Sequence, residues 1–166
     1  GDLTGNGNTN GYADPSTFTV HTIWSIDNHE TVHLYTSTFA NPGPVALFNE
    51  GIAVPHQVDP SRGDFTPKWS GTPLDTIARN ANANGTLPAL ADVIETAGFR
   101  KQDPNLMYPI SGSFVKYVLG RFGLAGVKDF FRRGSPNDAA ATVRSNFLSV
   151  FGTSIDQAWQ DWLAGL

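Results

Sequence analysis

The stretch "NHETVH", Asn28 to His33, decides how the rest of this 166-residue chain is interpreted. The chain has only four histidines and no cysteine, and two of the histidines stand four positions apart here, with a glutamate directly after the first. On an α-helix, residues i and i+4 share one face, so His29 and His33 would project together. Their imidazoles suit two positions of a tetrahedral zinc ion, and Glu30 could overhang the open position as a base. The stretch therefore predicts a metal site on a helix.

A catalytic zinc ion needs a third protein ligand. Glutamate occurs only three times in the chain, and the candidates besides Glu30 are Glu50 and Glu95. Glu50 lies in "LFNEGIA", and sixteen residues separate it from His33, which is enough for one helix to end, turn at "NPGP" and return as a second helix. We expect that helix pair to bring Glu50 beside the two histidines. Glu95 follows an apolar segment and is expected at the surface.

The remaining pattern predicts a mainly α fold (α+β) with a small N-terminal strand region. Residues 1–16 are rich in Asn, Gly and Thr and are expected to form a flexible, linker-like N-terminus, followed by a single domain over residues 17–166. A strand is expected at Thr17–Ile23. Four helices are expected in the first part of the domain: from Ser25 or Asp27 to about Phe39, from Pro44 to about Val54, from Thr72 to about Ala83, and from Thr86 to about Ala97. Three more are expected after them: from Pro109 to Arg121, over "GVKDFFRRG", and from Asp138 to Phe151. The last helix is expected to start at a capping box formed by Ser154 and Gln157.

The amino-acid composition limits the kinds of binding partner that we expect for this chain. A net charge of −4 gives no reason to expect nucleic acid or an anionic membrane as a partner, and no apolar run reaches the length of a transmembrane helix. The absence of cysteine removes disulfides and thiolate zinc sites. The chain begins at Gly1, without an initiator Met or a signal sequence, so we expect a processed or cut form, and one interpretation is an upstream domain in a longer parent chain. Its Asn-, Gly- and Thr-rich start is typical of secreted or cell-envelope bacterial proteins.

"HETVH" followed by "NEGIA" resembles the gluzincin branch of zinc metallopeptidases, which includes thermolysin and the aminopeptidase N type. The chain is most similar to the peptidase MA-like domains of bacterial proteins, through "MYPISGSFVKYVLGRFG" (Met107–Gly123) and "FGTSIDQAWQDWL" (Phe151–Leu163). The resemblance covers about residues 20–166. It implies a zincin-like helical catalytic domain.

The resemblance also implies roles for particular residues. One zinc ion would be bound by His29, His33 and Glu50, and Glu30 would be the general base. Tyr108 would donate a hydrogen bond to the oxyanion that forms when water attacks the scissile carbonyl, because the metal does not fully balance that charge. The alternative for Tyr108 is a core or rim aromatic residue at the start of a helix.

Two further residues lie near these ligands in the sequence. His56 is a candidate second oxyanion donor or substrate-binding residue, and the alternative is an exposed loop histidine. Asn49 adjoins Glu50 and is a candidate for the outer residues that orient the ligands. The segment Pro55–Gly71, rich in Pro, Asp, Gly and Ser, is expected to be a loop that borders the cleft.

These observations predict a zinc metallopeptidase that acts on a peptide or protein substrate. The motif by which aminopeptidases capture a free amino group is absent from the sequence, which favours an endopeptidase. Two alternatives stay open. One is a non-catalytic, zinc-stabilised binding or scaffold module, and the other is a zinc hydrolase of a non-peptide amide or ester.

Overall fold

The computed structural model describes residues 11–23, 27–58 and 63–166, and it confirms the mainly α class with a small N-terminal sheet. No helix in this part of the chain is long and apolar enough to cross a membrane. A single 3₁₀ turn, Val54–His56, follows the second helix. The elements in chain order are β1 (Gly11–Asp14), β2 (Thr19–Thr22), α1 (Asn28–Ser37), α2 (Ala46–Ala53), β3 (Lys68–Trp69), β4 (Thr72–Pro73), α3 (Leu74–Ala83), α4 (Leu90–Val93), α5 (Thr96–Phe99), α6 (Pro104–Arg133), α7 (Ala140–Phe151) and α8 (Ile155–Ala164).

Strands β1 and β2 form an antiparallel hairpin in which Gly11 pairs with Thr22. Asp14 closes its turn by accepting hydrogen bonds from the hydroxyl and the backbone N–H of Ser16 and from the hydroxyl of Thr17. These bonds stabilise the ionised carboxylate and lower the pKa of Asp14 to about 2. The hairpin lies against the start of α1, where the predicted metal ligands begin.

The expectation that residues 1–16 are all loop is wrong for residues 11–14, which form β1. A segment of four residues with Gly and Asp at its ends carries little strand propensity of its own, and pairing with β2 supplies the order. The remainder of that expectation, over residues 1–10, lies outside the described residues. The strand expected at Thr17–Ile23 is present as β2, shorter at both ends.

Helices α2 and α6 form the centre of the core, and an aromatic cluster fills the space around them. The ring of Phe48 lies 4.5 Å from that of Phe130, 6.0 Å from that of Phe114 and 6.1 Å from that of Phe147, between ring centroids. Trp159 of α8 packs edge-on against Phe114 at 4.8 Å. All five side chains are buried. Removing a side chain of this size from water stabilises the fold by about 1.5–3 kcal/mol.

Two glycines allow close packing between α6 and the segment formed by α2 and the 3₁₀ turn that follows it, and at Gly51 the approach is to the backbone of α6. A Cβ on Gly51 would lie 2.6 Å from Cγ2 of Val115 and 2.7 Å from the carbonyl oxygen of Ser111. A Cβ on Gly112 would lie 2.7 Å from Cγ1 of Val54. This contact fixes the position of α2, the helix that carries the predicted third metal ligand.

The single helix expected over residues 86–97 is wrong, because α4 and α5 are two short helices separated by an extended residue, Glu95 (φ −97°, ψ 147°). The carboxylate of Glu95 accepts a hydrogen bond from the N–H of Ala140 at the start of α7. The hydroxyl of Thr96 accepts one from the N–H of Ala46 at the start of α2. These two side chains accept hydrogen bonds from free N–H groups at the starts of other helices. The stabilisation from these bonds outweighs that of a continuous helix over residues 86–97.

Helix α6 begins earlier than expected, at Pro104 rather than Pro109. Asp103 is its N-cap, with a carboxylate that accepts from the N–H of Asn105, and a proline at the first helical position needs no hydrogen-bond partner. Gly123 has non-helical dihedral angles (φ 76°, ψ 164°), so α6 consists of two helical segments that meet at a kink there, and the break expected between the helix to Arg121 and the one over "GVKDFFRRG" is present. A positive φ of this kind favours glycine.

A chain of side-chain hydrogen bonds ties α8, α6 and α3 together. Trp162 Nε1 donates to Ser113 Oγ at 3.1 Å, Ser113 donates to Asp75 at 2.6 Å, and Lys116 Nζ donates to the other Asp75 oxygen at 2.5 Å. Burial alone would raise the pKa of Asp75, but the bonds from Lys116 and Ser113 outweigh it and hold that pKa below its usual range. The ionised form of Asp75 is therefore favoured by folding.

The last helix begins as expected at Ser154, whose hydroxyl accepts from the N–H of Gln157. The side chain of Gln157 donates to Asp161 instead of returning to the cap residue, so half of the expected capping box is made. The apolar face of this helix belongs to the core, and its buried members are Ile155, Ala158, Trp159 and Trp162.

Candidate metal centre

Helix α1 starts where the metal motif starts, and Asp27 is the reason. Its carboxylate accepts a hydrogen bond from the backbone N–H of Glu30 at 3.1 Å and another from the hydroxyl of Thr22 at 3.1 Å. Asp27 is one of the two expected caps, and the other, Ser25, lies outside the described residues. An N-cap of this kind stabilises a helix by about 1 kcal/mol. It also places His29 in the first turn, beside the β1–β2 hairpin.

The structure brings His29, His33 and Glu50 together, as the sequence predicts. The Nε2 atoms of the two histidines are 3.0 Å apart, and Oε2 of Glu50 lies 3.2 Å from the first and 3.5 Å from the second. The donor atoms of a tetrahedral site with bonds of about 2.0–2.1 Å are separated by about 3.3 Å. The three side chains therefore form a group that could hold a metal ion.

The chemistry of this group also fits a cation. Two imidazole nitrogens and a carboxylate oxygen converge on one point, and His29 and Glu50 are both buried. Three such donor atoms packed together away from water need a shared proton or a cation between them. Burial alone would raise the pKa of Glu50, but hydrogen bonds to His29 and His33, together with the charge of Arg100, hold that pKa well below its usual range. Glu50 is therefore a carboxylate at neutral pH, as a metal ligand must be.

One atom of the group lacks the support that metal-binding histidines usually have. Within the described part of the chain, the Nδ1 atom of His29 is buried and has no hydrogen-bond partner. A buried polar atom without a partner costs about 1–3 kcal/mol. The orientation of the three side chains therefore depends on contacts made by His33 and Glu50.

Glu30 lies beside the group, on the next position of α1, and it is partly buried at the edge of the hairpin. Its Cγ atom would be 3.2 Å from a Cβ on Gly11, so the absence of a side chain on β1 leaves room for it. Burial raises the pKa of Glu30, while His33 and His29 act in the opposite direction. A raised carboxyl pKa brings a base closer to the pH at which it exchanges protons efficiently.

Tyr108 lies on the other side of the group, near the start of α6. Its ring centroid is 6.2 Å from that of His29 and 5.5 Å from that of Trp69. Its hydroxyl accepts a hydrogen bond from Arg100 Nη1 at 2.6 Å, and Arg100 Nη2 donates to Oε1 of Glu50 at 2.5 Å. Arg100 was not among the residues expected at the site. It follows a four-residue helix in a segment expected to be loop, and it carries no sequence signal that points to the metal group.

An open cleft of about 700 Å³ surrounds the group. Helix α1 lies along it, and the residues of this helix and its flanks that line it extend from Asp27 to Ala40. The hairpin, the "NPGP" turn and Trp69 contribute to the remaining walls. The expected site residues that line this cleft are His29, Glu30, His33, Asn49, Glu50 and Tyr108.

The structure places the other candidates differently. His56 is exposed and is not among the lining residues, whereas its neighbour Gln57 is. Asn49 lines the cleft, and its Oδ1 atom lies 2.8 Å from the position of a Cβ on Gly43, so this side chain points towards the "NPGP" turn. Its expected role in orienting the ligands stays a prediction. The expected border loop contributes Gln57 and Trp69 to the cleft.

No model of a known protein family, no curated protein and no solved structure matches the chain. The class that the fold and the site define is a mainly helical protein with a His-His-Glu group able to bind a metal ion. Such a group occurs in more than one kind of metalloprotein. The resemblance to gluzincins therefore rests on the "HETVH" and "NEG" motifs of the sequence.

Proposed function

We propose that this chain is a zinc-dependent endopeptidase of the gluzincin type. The observation that carries the proposal is the position of Glu30, a partly buried carboxylate in the same cleft as the group of His29, His33 and Glu50. A metal ion that served only to stabilise the fold would need no base at its side. A hydrolytic site needs one.

The donor set favours zinc over other divalent ions. Two neutral imidazoles and one carboxylate are the three protein ligands of many catalytic zinc sites, which leave a further position open. Calcium and magnesium prefer sites made of oxygen atoms alone. His29, His33 and Glu50 would hold the single zinc ion, which when bound supplies Lewis-acid chemistry that polarises a carbonyl and acidifies a water molecule.

The protein's own groups would perform the proton transfers. Glu30 takes a proton from the attacking water while the oxygen of that water bonds to the carbonyl carbon. Glu30 then delivers the proton to the amine as the carbon–nitrogen bond breaks. Tyr108 donates a hydrogen bond to the carbonyl oxygen, on which negative charge develops. Removal of one such donor typically costs a factor of about 10²–10³ in kcat.

The shape of the cleft supports a polymeric substrate. Helix α1 has ten residues, so it is about 15 Å long at 1.5 Å per residue. An extended peptide advances about 3.3 Å per residue, and four or five of its residues would match that length. Lining residues lie at both ends of α1, and the cleft is open. An extended segment of four or five residues can therefore lie along the cleft, and we infer that it is an internal stretch of a peptide chain.

The experiment compares the wild-type protein with Glu30→Gln and with Glu95→Gln, a change to an exposed glutamate that contacts α7 instead of the cleft. Bound metal is measured by elemental analysis, and hydrolysis is measured with casein and with a quenched-fluorescence peptide library. We expect the wild type and Glu95→Gln to bind one zinc ion and cleave, and Glu30→Gln to keep the zinc ion but lose cleavage by at least about 10²-fold.

Two results would overturn the proposal. If Glu30→Gln cleaves as fast as the wild type, Glu30 is not the base. If zinc binds and raises the melting temperature but nothing in the library is cleaved, the metal centre serves stability or binding instead. Hydrolysis of esters or non-peptide amides alone would keep the chemistry and change the substrate class.

A further inference from the structure

Arg100 connects the third ligand to the cleft tyrosine. It lies at the end of α5, and its side chain is 49% exposed. Its two terminal nitrogens go to different partners, Nη1 to the hydroxyl of Tyr108 at 2.6 Å and Nη2 to Oε1 of Glu50 at 2.5 Å. A single rigid, planar group thus sets the distance between a carboxylate on α2 and a phenol on α6.

Aromatic packing holds the guanidinium group in this place. The Cζ atom of Arg100 is 5.7 Å from the ring centroid of Phe99 and 5.9 Å from that of Tyr108. Both distances are within the range of cation–π attraction. Arginine combines a fixed fork of donors with stacking on aromatic faces, and lysine has neither property. The contact therefore depends on the kind of side chain as well as on its charge.

The two oxygen atoms of the Glu50 carboxylate have different partners. Its Oε2 atom faces His29 and His33, at 3.2 and 3.5 Å, and its Oε1 atom faces Arg100. A carboxylate held by one oxygen cannot rotate freely to present both oxygens to an ion. The charge-assisted bond to Arg100 therefore selects ligation through Oε2 alone.

The contact with Tyr108 has a direction. A guanidinium group only donates hydrogen bonds, so the tyrosine oxygen must accept from Arg100. The single hydroxyl proton of Tyr108 is then left for another acceptor. Since Tyr108 lines the cleft, this proton is available to a group that binds there.

We propose that Arg100 is a positioning residue of the metal centre, which holds Glu50 so that one oxygen faces the two histidines and turns the hydroxyl proton of Tyr108 towards the cleft. The effect on Glu50 requires only that the His-His-Glu group binds a metal ion. The effect on Tyr108 rests on the proposed function.

The experiment separates these two effects with Arg100→Met, Arg100→Lys and Tyr108→Phe. Arg144→Met is the control, because Arg144 is also partly exposed and also pairs with a carboxylate, Asp156, away from the cleft. Zinc affinity is measured by competition with a chelating dye. Values of kcat and KM are measured on the best peptide substrate, and the melting temperature of the zinc-free proteins checks that each variant folds.

We expect Arg100→Met to weaken zinc binding by about 10–100-fold, the usual effect of losing a residue that orients a ligand. Arg100→Lys keeps one positive charge for Glu50 and should bind zinc within about 10-fold of the wild type. Lysine cannot serve both partners at once, so kcat should fall in Arg100→Lys as it does in Tyr108→Phe, with KM little changed. In the Tyr108→Phe background, Arg100→Lys should cause no further loss of kcat.

Wild-type zinc affinity in a folded Arg100→Met protein would overturn the role at Glu50. Losses of kcat that multiply when Arg100→Lys and Tyr108→Phe are combined would overturn the role at Tyr108. If no substrate is cleaved by the wild type, the proposed function fails with the Tyr108 effect, and the zinc affinities still decide the Glu50 effect. If Arg100→Met does not fold, Arg100→Gln takes its place: zinc affinity at least about 10-fold below that of Arg144→Met supports the role at Glu50, and wild-type affinity contradicts it.

Discussion

The carbonyl oxygen of Ser111 lies 2.7 Å from the point that a Cβ atom on Gly51 would occupy. The residue that precedes Gly51 is Glu50, and Ser111 follows Tyr108 by three positions on α6. Direct contact between the backbones of α2 and α6 thus sets the separation between the third ligand and the cleft tyrosine. Any side chain at Gly51 would have to move one helix relative to the other.

Gly51→Ala should therefore destabilise the protein although alanine is the better helix former. Overpacking of a close helix contact costs about 1–3 kcal/mol, which exceeds the gain of about 1 kcal/mol from helix propensity. Gly120 is the matched control, because it is a helical residue of α6 with nothing within 4 Å of its Cβ position. Gly120→Ala should stabilise by up to about 1 kcal/mol. Urea denaturation measures both, and stabilisation by Gly51→Ala would show that the helices separate easily.

Removal of the metal should lower the melting temperature. A ligand at 100 times its dissociation constant stabilises the folded state by about 2.7 kcal/mol, which corresponds to about 5–11 °C for a chain of this size. His33→Ala should abolish the difference between samples with zinc and samples with a chelator. His21→Ala, a change in the β1–β2 hairpin, should retain it. A zinc-dependent shift of unchanged size in His33→Ala would place the ion elsewhere.

Truncation of the central aromatic side chain should be among the most harmful changes in the core. Phe48 is 1% exposed and contacts three other phenylalanines, so Phe48→Ala should cost about 3–5 kcal/mol of unfolding free energy. Phe65 is 69% exposed, and Phe65→Ala should change that free energy by no more than about 0.5 kcal/mol. Chemical denaturation without added metal gives both values. Similar costs for the two variants would contradict the packing described here.

The bond network at Asp75 should make stability depend on acid pH. The folded-state pKa of Asp75 is lowered, so its contribution is complete above the unfolded pKa of about 3.9 and is lost as the pH falls through the lower folded value. The difference in unfolding free energy between the wild type and Asp75→Asn should be constant from pH 7 to about 5 and should shrink below about pH 4. Lys116→Met removes a donor to Asp75 and should reproduce that trend. Melting curves in chelator test this, and a difference that is equal at pH 3 and pH 7 would refute it.

The sequence predicts the His-His-Glu group because two of its members are close together in the sequence and the third belongs to a residue type that is rare in this chain. His29 and His33 are one helical turn apart, and a chain with three glutamates offers few candidates for the third ligand. Caps behave in the same way, since Asp27 and Ser154 bond to N–H groups three residues away. Such contacts depend on neighbouring residues and on helix geometry, both of which are visible in the sequence.

The parts that the sequence does not predict depend on contacts between distant segments. Strand β1 exists through pairing, and the break between α4 and α5 exists because Glu95 and Thr96 bond to the starts of other helices. Arg100 reaches Glu50 across 50 positions of the chain, and no periodicity or motif marks it. Side-chain partners of this kind become visible only when the helices are placed in space.

The three candidate ligands lie close together in the sequence. Only 21 positions separate His29 from Glu50, whereas 50 positions separate Glu50 from Arg100. Closing the longer loop costs about 0.8 kcal/mol more in chain entropy. During synthesis, α1 and α2 leave the ribosome well before α5 and α6. The three candidate ligands are therefore made before Arg100 and α6, and their spacing is not fixed until Ser111 of α6 packs against Gly51.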